Sequence, residues 1–409
     1  MLHFQFLMSL VVVVFLAPGL ETAVVRPQLG RYLSGIRWIL NILCSMIAYG
    51  GLLLITGSAP VASLMALTLM AVTAVASNIK FRVLGEPLLF SDAVVARSFL
   101  LHPKFYLFSI PMTGRISLLA IAIAAPVLLW HYSATAPLPH LIGAGILLLS
   151  SILLWLCPPQ KLAPTPDIEH DIPRLGLPGS IIMYWQQWKV SPDLSPPCSL
   201  SGQAAYDLIM IVQCESFADP ALLDLPADII LPIMPGLKRA RDVAFQWGSL
   251  SVSGFGAYTM RSEYGVIFGQ EETELGFRRY DPFLTAERER VHAIANRLKT
   301  LGYESTFVHP HDLRFYNREA LMPAMGFSRL VTPGPHIPTP DMPYFGDVAL
   351  GRTLVDMMAS ADKPSLFYTV TMENHGPWPT GKDKQVPLQH YLRHVQNSDQ
   401  MLLNLIEEM

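Results

Sequence analysis

The sequence predicts a multi-pass α-helical membrane domain followed by an α/β domain, and three observations carry that prediction. Five apolar, almost uncharged stretches crowd residues 1–157. A proline-rich stretch, 158–205, separates them from the C-terminal half. From Asp207 onward, short β-rich runs alternate with helical patterns at ordinary globular composition.

The 409 residues are 51% hydrophobic and 15% charged, with a mean hydropathy of +0.35, which is too apolar for a soluble enzyme of this size. The apolar stretches are Phe4 to Leu20, Ile36 to Gly57, Pro60 to Ser77, Ile116 to Tyr132 and His140 to Cys157. Each approaches the roughly 20 residues that a bilayer-spanning helix needs. The first lacks a basic leader and is followed by four more, so it reads as an anchor and not as a signal peptide. Between the third and fourth lies Asn78 to Gly114, whose charges oppose burial in lipid. Taken alone it is an interfacial loop that snorkels Lys80 and Arg82 to the headgroups. With five spans, the loops holding Arg26, Arg31 and Arg37, and then Lys80, Arg82, Arg97, Lys104 and Arg115, fall on the side of the C-terminal domain. The positive-inside rule makes that side cytoplasmic. A net charge of -3 without a concentrated basic surface excludes a nucleic-acid partner. Cys44, Cys157, Cys198 and Cys214 sit in unlike contexts and form no disulfide framework.

Prolines through 158–205 predict an extended linker. Its Tyr184, Trp185 and Trp188 suit either the membrane interface or surface packing. Beyond it, Asp207 to Gln213 is a continuous apolar run, as expected of a strand covered on both faces. A helix is predicted from Pro282 to about Leu301, with Val291, Ile294, Leu298 and Leu301 on one face and Gly302 as its stop. A strand at Ser305 to Val308, a helix near Val348 to Ser360, a strand at Leu366 to Met372 and a helix at Pro387 to Met409 complete the pattern.

In open α/β sheets, ligands collect beyond the carboxyl ends of the strands. Glu215 follows the first strand, His309 the second, and Glu373-Asn374-His375 the third, so three strands end in potential metal or phosphate ligands. Gly254 and Gly256 lie in a loop that runs into a helix with Thr259 in its first turn, where exposed N–H groups and the helix dipole favour an anion. A threonine there is either a simple N-cap or a nucleophile, and coordination to a divalent cation would lower its pKa enough for attack on a phosphate.

Glu215-Ser-Phe after a buried strand, Thr259 in Thr-Met-Arg-Ser-Glu-Tyr, His309 six residues before Phe315-Tyr-Asn-Arg318, and Asn374-His375-Gly-Pro-Trp occur in one order, with Glu86-Pro-Leu in the apolar block. Together they resemble the lipoteichoic acid synthase and phosphoglycerol transferase family of the sulfatase and alkaline phosphatase superfamily, over nearly the whole chain. The resemblance implies a transmembrane domain of about five helices over 1–157, the proline-rich linker, and a sulfatase-like catalytic domain over 206–409. It implies a multi-pass protein of the cell (inner) membrane whose catalytic domain is extracytoplasmic, against the loop charges. It also implies transfer of a phosphoglycerol group from a phospholipid, phosphatidylglycerol, to a glycan or glycolipid through a covalent threonine intermediate. Carried over by position, Glu215 and Thr259 are the metal ligands and Thr259 the nucleophile, while His309, Tyr316, Arg318 and His375 surround the phosphoglycerol group. The cation is manganese, with magnesium or zinc as alternatives. Arg318 is expected to grip phosphate oxygens in a fork, and the histidines to donate to phosphate or protonate the leaving group. The family's remaining metal ligands, an Asp-His pair on a further strand, are not found here, and His311-Asp312 has the reverse order. The chain is therefore expected to be a C-terminally truncated or inactive form. The alternatives are a phosphoethanolamine transferase, a sulfatase- or phosphatase-like hydrolase, and a noncatalytic membrane protein that keeps the fold.

Overall fold

Apolar helices dominate the N-terminal half. The computed structural model describes residues 2–24, 35–93, 112, 116, 119, 131–195, 197–253, 258–376, 378 and 385–408. Helices α1 (Leu2–Val24), α2 (Gly35–Thr56), α3 (Ala59–Leu84) and α4 (Pro137–Trp155) are long and apolar enough to cross a membrane, which marks a multi-pass membrane protein. Most of the expected Ile116 to Tyr132 span lies outside the described residues. Leu64, Leu69 and Val72 on α3 and Leu141, Leu148 and Leu149 on α4 are exposed, as lipid-facing side chains are. Val13 of α1, Tyr49 and Leu53 of α2, and Ala62 and Ala66 of α3 form a buried core. Helices α2 and α4 meet at Gly50 and Gly143. A Cβ on Gly143 would sit 2.4 Å from the Leu54 nitrogen, so only glycine allows this approach.

Two polar clasps hold this unit. Arg37 and Glu21, both buried, pair at 2.9 Å, and Glu21 also accepts from the Leu177 N–H at 2.8 Å. Lys80 does not snorkel. Its ammonium donates to Asp92 at 2.7 Å and to the Pro87 carbonyl at 3.0 Å, so it folds the Glu86-Pro-Leu phrase back onto α3.

The stretch expected to be extended instead carries helices α5 (Ile168–Leu175) and α6 (Leu177–Val190). Pro173 lies inside α5, whereas others sit where a helix tolerates them. Pro178 occupies the first turn of α6, where no N–H is needed, and Asp167 caps α5 through the His170 N–H. Tyr184 packs inward, stacked on Tyr280 at 5.7 Å.

The second unit is built on a four-stranded, wholly parallel sheet in the order β1-β4-β2-β3, with β1 at Leu208–Gln213, β2 at Glu304–Val308, β3 at Arg329–Val331 and β4 at Ser365–Val370. Its helices are α7 (Pro235–Val243), α8 (Thr259–Phe268), α9 (Ile294–Lys299), α10 (Arg318–Ala324), α11 (Asp347–Ala359) and α12 (Gln385–Glu408). Leu350 and Leu354 of α11 and Met401 and Leu405 of α12 cover one face of the sheet against Met210, Val212 and Val308. Phe307, Phe327 and Tyr368 pack on the other. The predicted helix from Pro282 to Leu301 is broken into Phe283–Ala286, Arg290–His292 and α9, because Ala293 turns to extended backbone and Val291 faces solvent. Gly302, at φ 92°, stops α9 as expected.

Candidate active site

Register places the sheet's carboxyl ends level with one another. Gln213 of β1 pairs with Val370 of β4, and Val308 of β2 with Thr369, so the residues that follow each strand emerge along one edge. Glu215 lies two residues past β1, with its N–H donating to the Thr371 hydroxyl at 3.0 Å. Thr259 opens α8, and its Oγ1 donates to Oε2 of Glu215 at 3.0 Å. A pair 44 residues apart in sequence is thus brought into direct contact at the start of a helix, where partial positive charge gathers.

Backbone strain concentrates at the same place. Among the described residues, positive φ at non-glycine positions occurs only at Ser216, Tyr258, Tyr316 and Asn317. Each sits within two residues of an expected site residue: Glu215, Thr259 or Arg318. Such conformations cost ~1–3 kcal/mol each and persist where surrounding structure enforces them. Tyr391 donates to the Ser216 carbonyl at 2.8 Å and helps to hold one of them.

His309 and Arg318 are buried. The Val370 carbonyl accepts from Nδ1 of His309 at 2.8 Å, which leaves Nε2 without a proton and 3.4 Å from Nη1 of Arg318. Burial, reinforced by the Arg318 charge, lowers the His309 pKa to about 3. His309 is therefore a neutral acceptor. Arg318 directs its fork at Glu263, with Nε donating to Oε2 at 3.0 Å and Nη2 to Oε1. The fork expected for phosphate is closed on a carboxylate, and Nη1 is the nitrogen turned to His309. The Tyr316 ring lies 5.0 Å from the Arg318 guanidinium. Its hydroxyl is pushed up to about 12 by burial, which outweighs the opposing Arg318 charge. His375 is exposed, donates from Nδ1 to the Gly376 carbonyl at 2.5 Å, and meets the edge of Tyr344 at 5.3 Å.

Residues 208–409 match the Sulfatase family. The α/β domain is sulfatase-like. The chain is 29% identical over 364 residues to the capsular polysaccharide biosynthesis protein RkpI of Rhizobium meliloti (strain 1021), an alignment that covers 81% of this chain and 67% of that protein. Among solved structures, it resembles the lipoteichoic acid synthase LtaP from Listeria monocytogenes, with 20% identity and a TM-score of 0.37 over 49% of this chain and 51% of that one. It also resembles the C-terminal periplasmic domain of EcEptC from Escherichia coli, solved in complex with Zn, with 10% identity and a TM-score of 0.32 over 49% and 58%. The chain thus spans only part of each. Those two structural likenesses are too distant to carry residue correspondences.

In the sulfatase-like domain, the carboxylate of Glu215 and the hydroxyl of Thr259 are hard oxygen donors that suit a divalent cation. Among the described residues, no group of three or more His, Cys, Asp or Glu side chains is placed to hold one, so these two would supply only part of a ligand set. Glu373, three residues past β4, is committed elsewhere. Its carboxylate accepts from the Asp347 N–H at 2.6 Å, from Nδ1 of His394 at 2.9 Å and from Asn397 at 2.5 Å. Asp347 accepts from Ser398 at 2.6 Å, and Ser398 accepts from Asn374 at 2.8 Å. Burial, with the Glu373 charge adding, raises Asp347 to about 6. This network fixes the backbone next to His375.

Sequence reasoning missed Glu263, which lies one helical turn beyond Thr259 on α8 and so shares its face. It also missed His394 and Asp347, for which no local signal exists.

Proposed function

We propose that this chain is a membrane-bound transferase that moves a phosphoglycerol group from a phospholipid to a glycan or glycolipid, through an ester on Thr259. The observation that carries this reading is the 3.0 Å bond from Thr259 Oγ1 to Glu215 Oε2 at the start of α8. A general base must reach the proton it removes, and Glu215 does so. In the first step Thr259 Oγ attacks phosphorus, its proton passes to Glu215, and the bond to diacylglycerol breaks. His375 supplies the proton the leaving oxygen takes; its Nε2 has no part in the bond to Gly376. In the second step an acceptor hydroxyl attacks the same phosphorus and gives its proton to His375, the bond to Thr259 breaks, and Oγ recovers its proton from Glu215, so both groups return to their starting state. Helix α8 favours the phosphate by its dipole and first-turn N–H groups. Arg318 holds His309 and Glu263 in place at the rear of the site.

A divalent cation held between Glu215 and Thr259, manganese before magnesium or zinc, would further acidify the hydroxyl. Residues 1–157 serve as the anchor and 206–409 as the reacting domain, on the extracytoplasmic side of the cell membrane. The name of the Rhizobium relative supports a carbohydrate acceptor.

The test is intact-mass measurement of the full chain in nanodiscs containing phosphatidylglycerol. The wild type gains one glycerophosphoryl group, and Thr259→Ala gains none and transfers nothing. Full transfer by Thr259→Ala, or an adduct on another residue, would refute the nucleophile.

A further inference from the structure

The loops that leave β2 and β3 enclose a cavity of about 750 Å³. That volume falls within the ~300–1,000 Å³ of small-ligand sites. Two of its wall residues also border the candidate site, at His309 and at His375. The His311 ring lies 6.2 Å from that of His309 and 6.3 Å from that of Tyr344, and Tyr344 in turn meets His375 at 5.3 Å. The Tyr344 hydroxyl is raised by burial and, further, by the charge of Glu215, which puts the cavity wall within electrostatic reach of the nucleophile's partner.

The chemistry of the lining narrows the ligand. Arg314 is set against Asp312, with Nε 3.0 and 3.1 Å from the two carboxylate oxygens, and Glu319 adds a further negative charge. Among the described lining residues Arg314 is the one fixed cation, so a second phosphate gains no net attraction. An acyl chain finds its walls interrupted by Asp312, Arg314, Thr332 and His336. A neutral polyhydroxyl ligand meets what it needs: planar acid and base groups for its hydroxyls, and the Tyr344 and Phe345 rings for its C–H faces. Five prolines in the walls, among them Pro333 and Pro335, fix the backbone and lower the cost of ordering the site on binding.

We infer that this cavity binds the carbohydrate acceptor and presents one of its hydroxyls to the phosphorus on Thr259. The inference rests on the proposed transfer reaction and names the surface that selects its second substrate. The acceptor oxygen forms the new bond to phosphorus and its proton goes to His375, the Thr259 ester bond breaks, and Oγ recovers its own proton from Glu215.

The test has two arms, both on the full chain in detergent. In the first, the Thr259→Ala protein, which forms no ester, is immobilised and exposed to a panel of neutral gluco-, galacto- and manno-oligosaccharides and to inorganic phosphate. At least one oligosaccharide binds, and Arg314→Ala in the same background weakens that binding at least tenfold. In the second, Thr259 is intact and the ratio of transfer to hydrolysis is measured with phosphatidylglycerol and the bound oligosaccharide. Arg314→Ala and Asp312→Asn each lower the ratio at least tenfold. Absence of oligosaccharide binding, binding untouched by Arg314→Ala, a response to inorganic phosphate alone, or an unchanged ratio would each overturn the inference. Failure of the wild type to form an ester while oligosaccharide binding persists would instead strike the transfer reaction and leave the cavity's ligand standing.

Discussion

Arg318 is forked onto the carboxylate of Glu263, and neither side chain reaches solvent. The pair ties α10 to α8, the helix that Thr259 opens, so its first effect is mechanical. Removing one partner strands the other charge in the interior at a cost of ~3–5 kcal/mol. Glu263→Ala and Arg318→Ala should both lower the unfolding midpoint sharply. Arg318→Lys, which keeps the charge and loses the fork, should recover only part of the stability. A midpoint unchanged in either alanine variant would show that the pair is not buried in solution.

Glu215→Gln keeps an oxygen that can accept from Thr259 but removes the capacity to take its proton. Transfer should fall by roughly 10²–10⁴ with the fold intact. Steady-state transfer, read beside the circular dichroism spectrum, checks this. A variant within tenfold of wild type would mean that Glu215 is not the base.

The acid side of the stability curve should depend on His309. Its native pKa of about 3 lies below its ordinary 6.5, so between those values the unfolded chain binds the extra proton. The contribution is complete above about pH 6.5 and is lost as pH falls toward 3, on the order of a few kcal/mol. Asp347 works in the opposite sense: its pKa is raised from 3.8 to about 6, so its contribution grows as pH falls through that window. The wild-type curve therefore mixes two slopes, and a variant is needed to separate them. His309→Gln should lose less stability than wild type between pH 7 and pH 4, as measured by thermal unfolding at both. Parallel losses would contradict the buried neutral imidazole.

Gly143→Leu should separate α2 from α4, because its Cβ would fall 2.4 Å from the Leu54 nitrogen and 2.9 Å from the Gly50 carbonyl. Gly145→Leu, with nothing within 4 Å, is the control on the same helix. Only the first should lower thermal stability in detergent. Equal effects would point to a general cost of side-chain bulk.

The strands and their terminal residues were legible in the sequence for a physical reason. Buried parallel strands are uninterrupted apolar runs, and DLIMIVQ ends where Glu215 begins. Thr259 was legible because it follows a glycine-bearing loop and precedes a helix. The contacts between them were not, since Thr259 meets Glu215 across 44 residues and Arg318 meets Glu263 across 55, with no periodicity to announce either. The short edge strand Arg329–Val331 passed unnoticed because three residues make no pattern. Prolines misled at 158–205, where composition suggested an extended path; Pro178 sits harmlessly in a first helical turn and Pro173 is carried inside α5. A 3.6-residue pattern likewise ran on through Ala293, where the backbone breaks.

Helix α12 closes the second unit by three separate grips. Asp399 takes the Gly236 and Leu237 N–H groups at the start of α7, His394 and Asn397 take Glu373, and Tyr391 takes the Ser216 carbonyl. The partners lie up to 175 residues upstream. During synthesis, the strained turn after β1 and the loop bearing His375 must therefore wait, unlatched, until this helix has cleared the ribosome. The apolar helices of the first unit are made, and can enter the bilayer, well before the second unit can latch.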